Sequence, residues 1–230
     1  MTHASREELR AELIGRIPPS YSPWVHLAVP TASGLLIAVL ALSRIESLAA
    51  WQLLVVPLYL AFGNAVEWHV HRGVLHRRVR WLEVVYTRHT PQHHMVFVAD
   101  DMALRDPREL KLVLLPAYAL LAIVVLTSPL AGVLAWLGQP NLAVLWIATV
   151  VVYVLSYEWL HLAYHLPEES PIGRSRAIAR LRRHHQLHHA THLMQRWNFN
   201  VTLPLWDHVR GTVYRPRPIP TRPAAVRRAT

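Results

Sequence analysis

From Leu112 to Tyr157 the chain runs for 46 residues without one Asp, Glu, Lys, Arg or His. An α-helix needs about 20 apolar residues to cross the roughly 30 Å hydrocarbon core of a bilayer, so this run is long enough for a hairpin of two crossings. Gly138-Gln139-Pro140-Asn141 is the turn cluster between them. Pro129 is expected to end the third helix early and leave 130–137 irregular or re-entrant. Two further uncharged stretches, 24–43 and 47–66, predict two more spans. The alternative is a soluble domain with very apolar core helices. A 46-residue uncharged run weighs against it. The sequence therefore predicts an all-α integral membrane protein with about four transmembrane helices and a histidine-rich cytoplasmic helical cap.

Charge orients the spans. Of 24 Lys+Arg, three precede Trp24, Arg44 alone lies between the first two spans, eight fall between Arg72 and Lys111, and twelve follow residue 165. Cationic residues gather on the cytoplasmic side, which places both termini and the cap there. The net charge of +10 thus needs no nucleic-acid partner. Arg outnumbers Lys 23 to 1, a usage that fits a GC-rich bacterial genome, so a bacterial inner membrane is the expected location. The absence of Cys excludes disulfides, thiolate metal sites and iron–sulfur clusters.

Three segments are expected. Residues 1–23 form an N-terminal amphipathic segment, 24–213 the membrane-embedded domain, and 214–230 a basic, Pro/Arg-rich disordered tail. In the first, Ser5 and Glu8 read as a capping box. Leu9, Leu13, Ile14 and Ile17 share a face suited to lying on the membrane. Asp106 and Pro107 read as N-cap and first residue of a helix.

Thirteen of 16 His lie between His69 and His94 or between His161 and His192, just after the second and fourth spans. Both regions emerge on one side, so the imidazoles form a layer outside the bilayer. Histidine is a common transition-metal ligand, and its neutral form adds no charge. On a helix, residues four apart share a face about 6 Å along the axis. His161/His165, His89/His93 and His185/His189 have that spacing and can each converge on one ion, with His94 and His188 turned toward a second. His71 and His76 are five apart, roughly 140° around a straight helix. They are expected to serve two ions rather than one, with Gly73 bending the helix between them. A lone His pair is more often a surface accident. Four clusters crowded on one face without a metal would leave donors and acceptors unpartnered.

The order His71, His76; His89, His93, His94; His161, His165; His185, His188, His189 resembles the fatty acid hydroxylase/sterol desaturase superfamily. The likeness extends to EWHVHRGVLH, RHTPQHH, YEWLHLAYH and WNFNVTLPLWDHVRGT and covers roughly residues 64–211. It implies that those ten histidines hold two iron ions, about five each, with zinc a possible substitute in purified protein. It also implies O2 as co-substrate and a separate electron donor of ferredoxin or cytochrome type. His69 and His184 leave the register of the first and fourth clusters open and are assigned supporting roles. The implied activity is hydroxylation of a membrane lipid or fatty acyl C–H bond. Desaturation, or oxidation of a sterol or carotenoid, is the rival within that class. A zinc hydrolase and a non-catalytic metal-binding membrane protein are the rivals outside it.

Residues behind the ligands are read from the sequence itself. Glu67 lies four residues before His71 and Glu158 three before His161, each on its histidine's helical face. Each is expected to accept the outer N–H of that imidazole, with a solvated or arginine-paired carboxylate as the alternative. Asn198 and Asp207 are weaker candidates for the same role.

Overall fold

The computed structural model describes residues 2–216; residues 217–230, most of the expected tail, lie outside the described residues. The chain begins with α1 (His3–Gly15) and α2 (Pro23–Leu42). A 3₁₀ turn, Ala50–Leu54, leads into α3 (Val55–Val70), which continues as a π turn through His71–Leu75. After a long cap segment come α4 (Ala119–Trp136) and α5 (Pro140–His165). The cap closes with α6 (Arg176–His188) and α7 (Leu205–Arg210). Among the described residues the regular elements are all helical, and the only β pairing is one isolated bridge between Val98 and Asp101.

Four helices, Pro23–Leu42, Ala50–Leu75, Ala119–Trp136 and Pro140–His165, are long and apolar enough to cross a membrane. Their outer faces expose residues such as Leu36, Val39, Leu58, Phe62, Val125 and Leu126, which suits contact with lipid. At the centre is α5, packed against α2, α3 and α4. Ala38, Leu120, Val151, Val154 and Leu155 form the seam. Gly34 lets α2 come close, since a Cβ there would lie 2.8 Å from Leu120 and 3.0 Å from Leu155. In lipid such packing is held by van der Waals contact more than by water exclusion.

Length matters as much as packing. At 1.5 Å per residue, the 26 residues of α5 reach roughly 39 Å, about 9 Å more than the hydrocarbon core. That excess suits last turns that rise out of the apolar layer. The π turn lengthens α3 in the same way. Both long helices end in histidine at the same side of the bundle.

The hairpin turn falls where the sequence places it, with Gly138 at φ 74° and Pro140 opening α5. Pro129, in contrast, does not end α4, which runs on to Trp136. Proline removes the donor that the Val125 carbonyl would have met. The Ser128 hydroxyl bonds that carbonyl instead, at 2.8 Å, so no backbone acceptor is left bare in lipid. Residues 112–118 are also not part of the span. Leu110–Val113 is a cap helix turn, and the span starts at Ala119, past Pro116.

The N-terminal helix departs from expectation twice. Its N-cap is Thr2, whose hydroxyl accepts from the Ser5 amide, so the helix starts three residues before the expected capping box. Its apolar face covers the cap: Leu13, with Leu9, packs on Val96, Phe97 and Val113. That face is therefore buried against protein instead of lying on lipid. Arg10 fixes the docking. Its guanidinium donates to Glu109 at 2.7 and 3.2 Å and to the Ala103 carbonyl at 3.0 Å, and both side chains are buried. Asp106 caps its short helix as read, accepting from the Arg108 amide at 2.7 Å.

Removing one partner of a buried ion pair costs about 3–5 kcal/mol. Arg10→Ala should therefore lower the thermal unfolding midpoint of the detergent-purified protein clearly. Arg16→Ala, which breaks an exposed pair with Glu12, should barely move it. Equal midpoints would refute the clamp.

Candidate metal centre

Two buried groups of five histidines stand at the cap ends of α3 and α5. One is His71, His76, His89, His94 and His188; the other is His93, His161, His165, His185 and His189. Within each, one nitrogen per residue lies within 4.8 Å of all the others. The structure thus brings together all ten residues that the resemblance implies as ligands. It excludes His69, which is exposed and bonded to the Ala65 carbonyl. It also excludes His184, whose Nε2 faces Asp207 at 3.0 Å.

The division between groups corrects the helical reading in two places. His71 and His76 share a group because residues 71–75 form a π turn. The i→i+5 bond brings residues five apart, not four, back to one face. The same widening occurs at Arg88–His93, where Pro91 lies inside the turn. A proline ring clashes with the carbonyl four residues back and removes a donor, which favours the wider turn. His89 therefore pairs with His94, while His93 points to the other group. On α6 the α-helical rule holds: His185 and His189 converge, and His188 turns to the other group.

Hydrogen bonds settle which nitrogen faces inward. Nδ1 of His93, His165, His188 and His189 lies 3.0, 2.8, 2.8 and 2.5 Å from the carbonyls of Leu112, Met102, Trp197 and Phe97. His71 Nδ1 bonds the Phe199 carbonyl. Carbonyls only accept, so each of these Nδ1 atoms carries the proton and each Nε2 is a bare lone pair. For His76 the partner is the Thr90 hydroxyl at 3.2 Å. That hydroxyl gives its own proton to the Leu75 carbonyl, so it accepts from His76. Consequently the Nε2 atoms of His76 and His188, 2.9 Å apart, face each other as two acceptors with no proton between them.

Burial suppresses the alternative of adding protons. Desolvation, and then the neighbouring imidazoles, push His89, His93, His94, His185 and His188 well below the ordinary histidine value. His189 is lowered likewise, by burial and then His165. His76 is pushed down to about 2 by burial, His71 and His189. Neutral imidazole is the ligating form. His165 Nε2 and the Nδ1 atoms of His94 and His185 are buried without a hydrogen-bond partner among the described residues. The converging lone pairs, and the unpartnered Nε2 of His165, have one common remedy, a cation in each group. The residues present fit a pair of metal ions.

The carboxylates expected behind the ligands do not touch them. Glu67 accepts from the Val201 and Thr202 amides, the Thr202 hydroxyl and the Tyr153 hydroxyl. Glu158 accepts from the Leu115 amide at 3.0 Å. Each side chain points across to a distant loop, so helical proximity to a histidine did not decide its partner. Asp207, fully buried, accepts from Phe199 N, Asn200 N, Trp68 Nε1 and Thr212 Oγ1 besides facing His184. Burial alone would raise this carboxyl, but His184, Thr212 and the Asn200 amide hold it below the usual range. Asn198 sits at φ 59° and spans the His184 carbonyl and the Tyr214 amide. The sequence reading missed the five carbonyls and Thr90. His26, outside the sequence clusters, holds the Leu115 carbonyl through Nε2 at 2.8 Å. Carbonyl orientation leaves no mark in side-chain identity.

Fold and site together define an integral membrane protein with two all-histidine groups able to hold metal. A model of the fatty acid hydroxylase family matches residues 56–212. No curated protein and no solved structure matches the chain. The chain belongs to the fatty acid hydroxylase family.

Inserting one Ala after Val74 should carry His76 about 100° around the helix, away from its group. Metal analysis should then show a loss relative to wild type. Undiminished metal would mean that the turn is not what aligns the pair.

Proposed function

We propose that the chain is an O2-dependent di-iron hydroxylase acting on a C–H bond of a membrane lipid or fatty acyl chain. One observation carries the reading: ten buried imidazoles in two groups of five, at the cap ends of two helices able to cross a membrane. A hydrolytic zinc centre usually needs three protein ligands and an open position, far fewer than this. When bound, a pair of redox-active irons would supply reduction of dioxygen and oxidation of an unactivated C–H bond. His71, His76, His89, His94 and His188 would hold one ion; His93, His161, His165, His185 and His189 the other.

The chain's own groups contribute enclosure and position. The rings of Phe97 and Phe199, both fully buried, pack against the histidines and keep water out. Nδ1 bonds hold six of the ten rings in place, so those rings reorganise little when metal binds. His71 and His161 project from membrane-crossing helices, which suits a substrate that approaches from lipid. The electrons that such chemistry consumes are proposed to come from a separate donor of ferredoxin or cytochrome type. The charge distribution supports a cytoplasmic site in a bacterial inner membrane.

Detergent-purified protein should carry about two irons per chain. Cells expressing it should accumulate lipids heavier by one oxygen, by mass spectrometry. His89→Ala and His188→Ala should each abolish that product. Lipids lighter by two hydrogens would assign desaturation instead. Tightly held zinc without iron, with no change in lipid mass, would contradict the oxygenase reading.

A further inference from the structure

The carbonyls that hold the histidines divide as cleanly as the histidines do. For the group of His93, His161, His165, His185 and His189, the acceptors are Phe97, Met102 and Leu112. All three belong to one cap stretch, 97–112. For the group of His71, His76, His89, His94 and His188, the backbone acceptors are Trp197 and Phe199, both in the stretch 197–202. No acceptor from one stretch serves a histidine of the other group.

Each stretch is also anchored by its own buried carboxylates. Glu109 accepts from Arg10 and from the Arg105 amide at 2.8 Å, and Glu158 accepts from the Leu115 amide just beyond Leu112. These two hold the first stretch. The second is held by Asp207, through the Phe199 and Asn200 amides at 3.0 and 2.7 Å. Glu67 adds the Val201 and Thr202 amides. Four buried carboxylates therefore sit one step behind the ligands, two per group, and act through backbone.

We infer that each metal site has its own carboxylate-anchored backbone collar, so that the two sites can be emptied one at a time. Glu109 and Glu158 are positioning residues for one site, Asp207 and Glu67 for the other. Loosening a collar frees the ring orientations of its own histidines and leaves the other five clamped. The inference rests on the two-ion reading above but is indifferent to the reaction, because it concerns retention of any transition metal that fills both groups.

Mutating the outer partners of metal ligands typically lowers affinity by about 10- to 100-fold. Detergent-purified full-length protein, loaded with Co²⁺, would be titrated with a chelator while bound metal and the thermal midpoint are followed. Asp207→Asn should lose one of two ions at roughly 10- to 100-fold lower chelator and keep the second at the wild-type concentration. Glu109→Gln should do the same for the opposite ion. Adding His165→Ala to Asp207→Asn should remove the remaining ion, whereas adding His76→Ala should not. If either parent variant fails to fold, Glu67→Gln or Glu158→Gln replaces it for the same collar. Loss of both ions together, or of neither, in folded variants overturns the inference alone. A wild type that holds fewer than two ions overturns it together with the di-metal reading.

Discussion

An N–H given by a buried imidazole to a backbone carbonyl is the interaction on which the rest of this protein depends. It fixes the tautomer, so the inward nitrogen is an acceptor, and it fixes the ring, so that nitrogen points at its group. Five of the ten histidines are held this way, and His76 by a threonine hydroxyl. Burial then denies the acceptors a proton. The outcome is a pair of electron-rich pockets that are unfavourable when empty and favourable around a cation. Fatty acid hydroxylase family membership agrees with such a centre.

The membrane supplies the frame. Two crossings end in histidine on the same side, because an even number of spans returns the chain to where it began. The length of α5 suits His161 and His165 at the edge of the apolar layer, and the π turn after α3 ends at His76 on the same side. The cap is then built around these two posts. Its loops bring carbonyls inward, and the Arg10–Glu109 clamp closes the outer side with the N-terminal helix. Stability and site geometry thus share one set of buried polar contacts.

Much of this was legible from residue identities. Uncharged runs give the four spans, because lipid tolerates no charge along a crossing. The family resemblance gives the ten members of the centre, while the choice of His71 over His69 and of His185 over His184 comes only from the structure. The backbone carries what was not legible. A helical wheel puts His71 and His76 apart and His89 and His93 together; both are wrong because two turns are widened, one around a proline. Glu67 and Glu158 share a helical face with a histidine, yet each bonds a loop far along the chain. Pro129 looks like a helix end, and a neighbouring serine hydroxyl replaces the missing bond. The N-terminal amphipathic face suits lipid by composition alone, but a buried Arg–Glu pair docks it on protein.

X-ray absorption spectroscopy of the iron-loaded protein in detergent tests the central claim most directly, since outer-shell scattering counts imidazoles. Two cages of five histidines predict a mean of about five imidazoles per metal with no carboxylate ligand. A first shell dominated by carboxylate or water oxygen, with one or two imidazoles per metal, would contradict it.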